Sequence, residues 1–251
     1  MLVPFFWMLL LSFKFQTEIS MANTILPRVW TLRNYSRVFE TVPIIRWFLN
    51  SVIVTVSATA IILFTSSLVG FVFAKYQFHF KNFVFLFILA TMMVSTQVTM
   101  IPSFLLINWL GLYDRLPSLV VPGMIGGFGI FLCRQFIEDI PNSLFEAAII
   151  DGAKDFSVYF RIVIPLIRPC IGALAIFTFL QYWNEYMLPL LYLNKIENMT
   201  MSLAISFFST QRTTDIGAIM AAATLVMIPV AIVFLVFQKQ FIKGIAITGL
   251  K

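Results

Sequence analysis

Five long, nearly uncharged apolar runs constrain this chain more than any other feature. They cover Trp47 to Ala74, Phe83 to Ile107, Leu116 to Cys133, Leu166 to Leu193 and Ile216 to Phe237. A helix of about 20 such residues crosses a bilayer. The runs are continuous and do not alternate every second residue, which argues against a β-barrel. Backbone groups in lipid must pair within the segment, so helices are expected throughout. Hydrophobic residues make up 60% of the 251 and charged ones 11%, with mean hydropathy +0.95. A soluble core needs far less apolar surface. Leu2 to Phe13 is apolar but only about half a span long. With no basic stretch before it and no small-residue cleavage site after it, we read it as the tail of an incomplete first helix.

Several function classes fall away on the same reading. The net charge of +6 is spread over loops, so nucleic acid is not an expected partner, and 28 phenylalanines suit a lipid-facing surface. Cys133 and Cys170 form no disulfide framework. His79, the single histidine, leaves a histidine-based metal site nothing to build on. No G-x-x-x-x-G-K-[ST] run is present to cradle a nucleotide. No catalytic residues, cofactor or metal are therefore expected.

A charged island between two long apolar runs, Asn142 to Pro169, reads NSLFEAAIIDGAKDFSVYFRIVIPLIRP. Ser143 and Glu146 have the spacing of a capping box. Pro141 discourages a helix arriving from upstream. Ala147 and Ala148 favour a short helix, and Gly152 is a natural stop for it. A second helical piece is expected from Asp155 to about Arg161, ahead of Pro165 and Pro169. On local physics, an ordinary interfacial helix and a contact for another protein are equally open.

Glu146-Ala147-Ala148, then Gly152, Ile162 and Pro165, resemble the EAA loop of ABC importer permeases, with Ile164 where the family usually has Leu. Asp151, Ala153, Phe160, Leu166 and Pro169 resemble the sugar-importer branch, the maltose/multiple-sugar type. Asn50-Ser51, Ala74 to Phe78 and Leu110 to Asp114 are similar to the same pattern, as is the tail with Phe241, Gly244 and Gly249. The resemblance implies an all-α membrane protein of about six transmembrane helices, the first incomplete, in the type I ABC importer permease (MetI-like) bundle. Residues 1–13 would be the partial first helix and 14–46 an extracytoplasmic loop. Residues 47–238 would form the transmembrane domain including the coupling loop 142–169, and 239–251 a cytoplasmic tail. Basic residues divide almost evenly between the two sides, so the resemblance and not charge sets this topology.

The resemblance further implies that Glu146, Ala147, Ala148, Asp151, Gly152, Ala153 and Pro165 couple the chain to a separate ATPase. The implied assembly is a homologous permease subunit, two copies of that ATPase and an extracytoplasmic solute-binding protein, importing a sugar or oligosaccharide by alternating access. It would sit in a bacterial or archaeal cell membrane. Within the family pattern a polyamine, phosphate or peptide importer is the nearest competitor. A secondary transporter would need its own ion-coupling residues, and Glu185 is the sole deeply placed acid. A membrane scaffold would show no solute dependence.

Polar side chains inside the runs mark candidates for a pathway or gate, because such groups normally face the bundle or a wet cavity. Gln97 falls mid-run in the third span, where helix–helix hydrogen bonding is the plainer account. Gln181, Asn184 and Glu185 share a face at helical spacing beside Trp183 and Tyr186. That face suits sugar recognition, and suits a contact with the partner permease equally. Ser51, Thr55 and Thr59 at steps of four, and Gly123 with Gly127, read as close-packing faces.

Overall fold

In the computed structural model, described for residues 3–21, 24–209 and 215–248, with side chains to residue 235, all regular structure is helical. The helices are α1 (Val3–Ser12), α2 (Gln16–Met21), α3 (Arg33–Thr41), α4 (Ile44–Lys75), α5 (Lys81–Thr91) and α6 (Thr96–Trp109). They continue with α7 (Pro117–Val120), α8 (Gly127–Glu138), α9 (Asn142–Ile150), α10 (Asp155–Val158), α11 (Ile164–Leu166) and α12 (Arg168–Trp183). Last come α13 (Met187–Tyr192), α14 (Leu203–Ser209) and α15 (Ile216–Thr248). Gly249 to Lys251 of the expected tail lie outside the described residues.

Two helices, α4 and Ile216–Leu235 of α15, are long and apolar enough to cross a membrane unbroken. The other three runs expected as spans are met as bent pairs. α5 meets α6 at 99°, Pro117–Gly123 meets α8 at 49°, and Asp155–Leu166 meets α12 at 78°. Counting each pair once gives up to five spans, with the short apolar α1 beside them. Large apolar side chains stand exposed on α5 and α6, Phe87 at 66% and Val98 at 72%, as on a lipid-facing surface.

The chain divides into two compact units, residues 1–54, 111–119 and 183–235 in one, and 55–110, 120–182 and 236–251 in the other. In the first unit the described residues of the Lys14 to Arg46 stretch include α2, α3 and the start of α4. Asn34 is buried and donates to the carbonyls of Ser12 and Lys14, both at 2.8 Å. Arg37 pairs with Asp215. Asp114, at a positive φ of 57°, ties two loops together: its carboxylate accepts the backbone N–H groups of Asn194 (2.9 Å) and Lys195 (3.0 Å). The Asn198 amide donates to its carbonyl oxygen at 2.7 Å.

In the second unit, buried Phe71, Cys133, Ile137, Phe145, Ala148, Val158, Tyr159, Val163, Cys170 and Leu174 form one apolar core. The stretch 142–169 is therefore packed against the helices on either side of it. The two thiols sit 3.9 Å apart, both fully buried. α4 and α8 approach so closely at Gly70 that a Cβ there would lie 2.8 Å from Cβ of Cys133 and 3.0 Å from the Arg134 backbone nitrogen. Gly123 and Gly127 likewise leave no room for a side chain against Tyr182 and Met92, as the close-packing reading requires. Of the hydroxyl stripe on α4, Ser51 accepts the Met201 N–H at 2.7 Å. The hydroxyls of Thr55 and Thr59 find no hydrogen-bond partner among the described residues, so these side chains act through small volume and not by bonding carbonyls.

Gly70→Ala is expected to cost about 1–3 kcal/mol, because backbone on α8 must give way; a lower thermal unfolding midpoint of the detergent-purified chain would register it. Burial alone would raise the Asp114 carboxyl. The N–H donors of Lys195 and Asn194, the Asn198 amide and the Lys195 charge outweigh that and hold it below its ordinary value of 3.8. The tie therefore contributes fully above that value and is lost as pH falls through the depressed one. Unfolding measured along a pH series should show wild type losing stability in that acid window and Asp114→Asn staying flatter.

Candidate functional site

The 142–169 stretch folds as helix, turn and helix, with each junction traceable to particular residues. α9 starts at Asn142 behind Pro141, whose backbone (φ −56°, ψ 135°) is the extended form a proline and its neighbours favour. The capping box expected from Ser143 and Glu146 does not form, since no side chain caps this helix. The helix begins one residue before Ser143, where a tertiary contact holds it. The Lys75 ammonium donates to the Ile140 carbonyl at 2.6 Å and to Oδ1 of Asn142 at 2.9 Å.

At the far end the Ala153 N–H reaches back to the Ala148 carbonyl and the Gly152 N–H to that of Ile149, both at 2.9 Å. This pair of bonds is a Schellman stop, which needs a left-handed residue at the first of the two donors. Gly152 supplies it at φ +78°. A side chain there would touch nothing within 4 Å, so the demand for glycine comes from the backbone alone.

The second piece runs further than Arg161. α10 passes into a π-helical turn over Tyr159–Val163, where the Ile164 N–H bonds the Tyr159 carbonyl, and then into α11. Pro165 sits at the start of α11. A proline lacks the N–H an α-turn would use and crowds the turn before it, so the widened turn falls where the ring needs room.

The seven residues expected to couple divide by direction. Phe145 and Ala148 point into the apolar core, and Ala153 packs against it half-buried. Pro165 is half-buried, while Glu146, Ala147, Asp151 and Gly152 are exposed. Ala148 is therefore a core residue and not part of an outward face. Sequence reasoning missed the apolar side chains standing outward beside Glu146: Leu144 at 46%, Ile149 at 62% and Ile150 at 85%. Their signal was available, since a nine-residue helix with Phe145 and Ala148 inward must turn its other apolar residues out.

It also missed α4 as the support. Ser67 and Tyr159 share a hydrogen bond at 2.6 Å, and the Phe71 ring lies 6.2 Å from Phe145 and 5.8 Å from Tyr159. Just past α4, burial and then the hydrogen-bonded Asp155 carboxylate push the Tyr76 phenol up to about 12.

The polar group around Glu185 is arranged differently from the helical face expected. α12 ends at Trp183, and Asn184 to Tyr186 are non-helical before α13 begins. Pro189 accounts for the break: it has no N–H to give the Glu185 carbonyl four residues back. The Ser202 hydroxyl donates to that carbonyl instead, at 2.6 Å. Oε1 of Glu185 accepts the N–H groups of Met187 (3.0 Å) and Leu188 (3.2 Å), satisfying the open start of α13. Trp183 is fully buried, its indole donating to the Val226 carbonyl at 3.0 Å, in the turn that Pro229 crowds. Gln181 is exposed. Asn184 and Tyr186, with Ser202, Ile205, Ser206, Ser209 and Val226, line a cleft of about 350 Å³. Gln97 lies exposed in the first turn of α6, accepting from the Ser95 hydroxyl.

Comparison with known proteins now bears on this architecture. Residues 66–247 match the family described as binding-protein-dependent transport system inner membrane component. The arabinooligosaccharides transport system permease protein AraQ of Bacillus subtilis (strain 168) is 33% identical over 254 residues, covering 100% of this chain and 90% of the relative. The diacetylchitobiose uptake system permease protein NgcG of Streptomyces coelicolor is 30% identical, covering 98% of this chain and 82% of the relative. Among solved structures, a bacterial ABC transporter that imports the acidic polysaccharide alginate superposes with TM-score 0.86 at 22% identity, over 95% of this chain and 90% of that one. A second alginate transporter structure, in complex with its alginate pentasaccharide-bound periplasmic protein, gives TM-score 0.64 at 18% identity, over 94% of this chain and 85% of that one. The chain belongs to the inner-membrane components of binding-protein-dependent transport systems, the permease subunits of ABC importers, and is a transporter part and not an enzyme.

Proposed function

We propose that this permease imports a sugar or oligosaccharide and that its 142–169 loop is where a separate ATPase drives it. The outward side of α9 carries this reading. Glu146, Ala147, Ile149, Ile150 and Asp151 stand exposed on a short helix whose opposite side is fixed in the core through Phe145 and Ala148. Such an apolar ledge with a charged rim has the composition of a protein contact. The assembly comprises a homologous permease, two ATPase copies and an extracytoplasmic binding protein, in the cell membrane of a bacterium or archaeon. The chain is multi-pass, with the loop and the 239–251 tail on the cytoplasmic side and residues 14–46 outside.

Sugar is the favoured cargo because the relatives are named for arabino-oligosaccharides and diacetylchitobiose. The cleft beside Asn184 and Tyr186 supports the same choice, since amide and hydroxyl groups next to an aromatic face suit a polyol. In this reading Gln181, Trp183, Asn184 and Glu185 form the pathway or gate region, with Trp183 and Glu185 holding its backbone. Gln97 belongs to it only by sequence.

Glu146→Lys or Gly152→Asp should reduce uptake of labelled arabino-oligosaccharide or diacetylchitobiose to background while the chain stays in the membrane fraction. Normal uptake by either variant would overturn the coupling role. Glu185→Ala removes the acceptor for two α13 N–H groups and should change uptake kinetics without loss of the copurifying ATPase, whereas Glu185→Gln, which keeps an acceptor oxygen, should retain most activity. Identical kinetics for Glu185→Ala and wild type would reduce Glu185 to packing.

A further inference from the structure

At the start of the spanning helix α4 the inward side is pinned. The Trp47 indole donates to the Ile196 carbonyl at 2.5 Å, and the Asn50 amide to the carbonyls of Glu197 (2.8 Å) and Met199 (2.9 Å). Ser51 accepts the Met201 N–H. These bonds fix the rotation of the helix, and Ile45, Arg46, Phe48 and Leu49 stand outward. Ile45, Leu49 and Ile53 follow one another at steps of four, an apolar stripe exposed at 66%, 52% and 54%.

The stripe begins in a cleft of about 310 Å³. Phe39, Val42, Ile44, Ile45 and Leu49 give the cleft an apolar lining, and Arg46 is the charged residue on it among those described. Phe39 reaches it from α3, whose Asn34 and Val38 turn inward. The Arg46 guanidinium has no hydrogen bond or ion pair among the described residues. Glu40, the nearest acid along the chain, is exposed and does not line the cleft.

Side chains on a helix lean toward its N-terminus, and a long basic one extends toward the membrane–water boundary. Arg46 therefore sets a planar cation at the polar end of an apolar stripe. That pairing complements an anionic phospholipid, since a guanidinium takes two phosphate oxygens at once while the stripe takes hydrocarbon. The stripe also runs down a helix apolar enough to cross the bilayer, so acyl chains are the medium its length meets.

We propose that this cleft binds an anionic phospholipid, with the phosphate on Arg46 and one acyl chain along Ile45, Leu49 and Ile53. The inference stands apart from the coupling and cargo readings above and needs only that α4 spans. A lipid held in this way exchanges more slowly than those bordering the rest of the helix.

The test uses the whole importer, copurified with its ATPase, in nanodiscs of phosphatidylcholine doped with a phosphatidylglycerol that carries a diazirine on one acyl chain. Nanodiscs present the probe to both faces, so the orientation of α4 does not enter. After illumination, mass spectrometry should find label concentrated between Phe39 and Ile53, displaced by unlabelled phosphatidylglycerol and not by further phosphatidylcholine. Arg46→Gln should lower that label by about 5-fold, the factor for one basic residue at a lipid surface. Arg46→Lys should keep most of it, and Arg33→Gln, at an exposed arginine outside the cleft, should leave it unchanged.

Label spread evenly over the exposed apolar side chains of α4, α5 and α6, or equal displacement by the two lipids, would overturn the proposal, since the cleft would then hold ordinary bordering lipid. The competition uses wild type alone and decides the matter even where a variant fails to fold. Absence of label from the cleft, with a photoreactive residue placed at Ile45 cross-linking to another protein chain, would assign the cleft to a protein partner and overturn it equally.

Discussion

Every backbone polar group that a membrane chain takes out of an unbroken helix has to find another partner, because lipid offers none. This structure is governed by how its breaks are closed. At Asn184 to Tyr186 the freed Glu185 carbonyl takes the Ser202 hydroxyl, and the first N–H groups of α13 take the Glu185 carboxylate. Between α6 and α7, Asp114 receives N–H groups from a segment 80 residues later. At the end of α9 the stop is made by the backbone of Gly152 and Ala153 alone. Each closure also fixes which way the chain leaves, so the bends are specified and not slack.

The same accounting explains why the 142–169 loop can be both prominent and firm. Its two short helices could not stand alone in water, where helices of fewer than about 12 residues are marginal. They persist because Phe145, Ala148, Val158 and Tyr159 are buried against Phe71 and the flanking helices. What is left outside is a small apolar ledge with acidic neighbours, held at fixed height by its inward side. A surface of that kind meets whatever touches it without yielding locally.

The sequence alone made the membrane class, the two unbroken spans and the loop's outline legible, because these follow from local pattern. The demand for glycine at 152 and the stop it makes were readable in the same way. The break after Trp183 was not, since nothing near it announces that a distant group stands ready to receive the freed backbone. Pro189 carried half of that signal; Ser202 carried the other half, thirteen residues away and on a different element. The capping box failed for a related reason. Ser143 and Glu146 had the right spacing, but α9 begins at Asn142, whose side chain is held by Lys75, and only the packed structure brings those two residues together. Among the candidate pathway residues, Asn184 lies on a cleft while Trp183 and Glu185 serve the backbone around it, a division that hydrogen-bond partners reveal and residue type does not.

The widened turn at Tyr159–Val163 has an effect beyond making room for Pro165. A π-turn accommodates one more residue than an α-turn, and each residue advances an α-helix by about 100°. The surplus residue thus acts as a phase setter for the stem that climbs back from the loop. It chooses the azimuth at which Val163, Ile167 and Cys170 meet the core. Two chains alike in every other contact but differing in that one-residue surplus would present stems rotated by about 100° to the same neighbours.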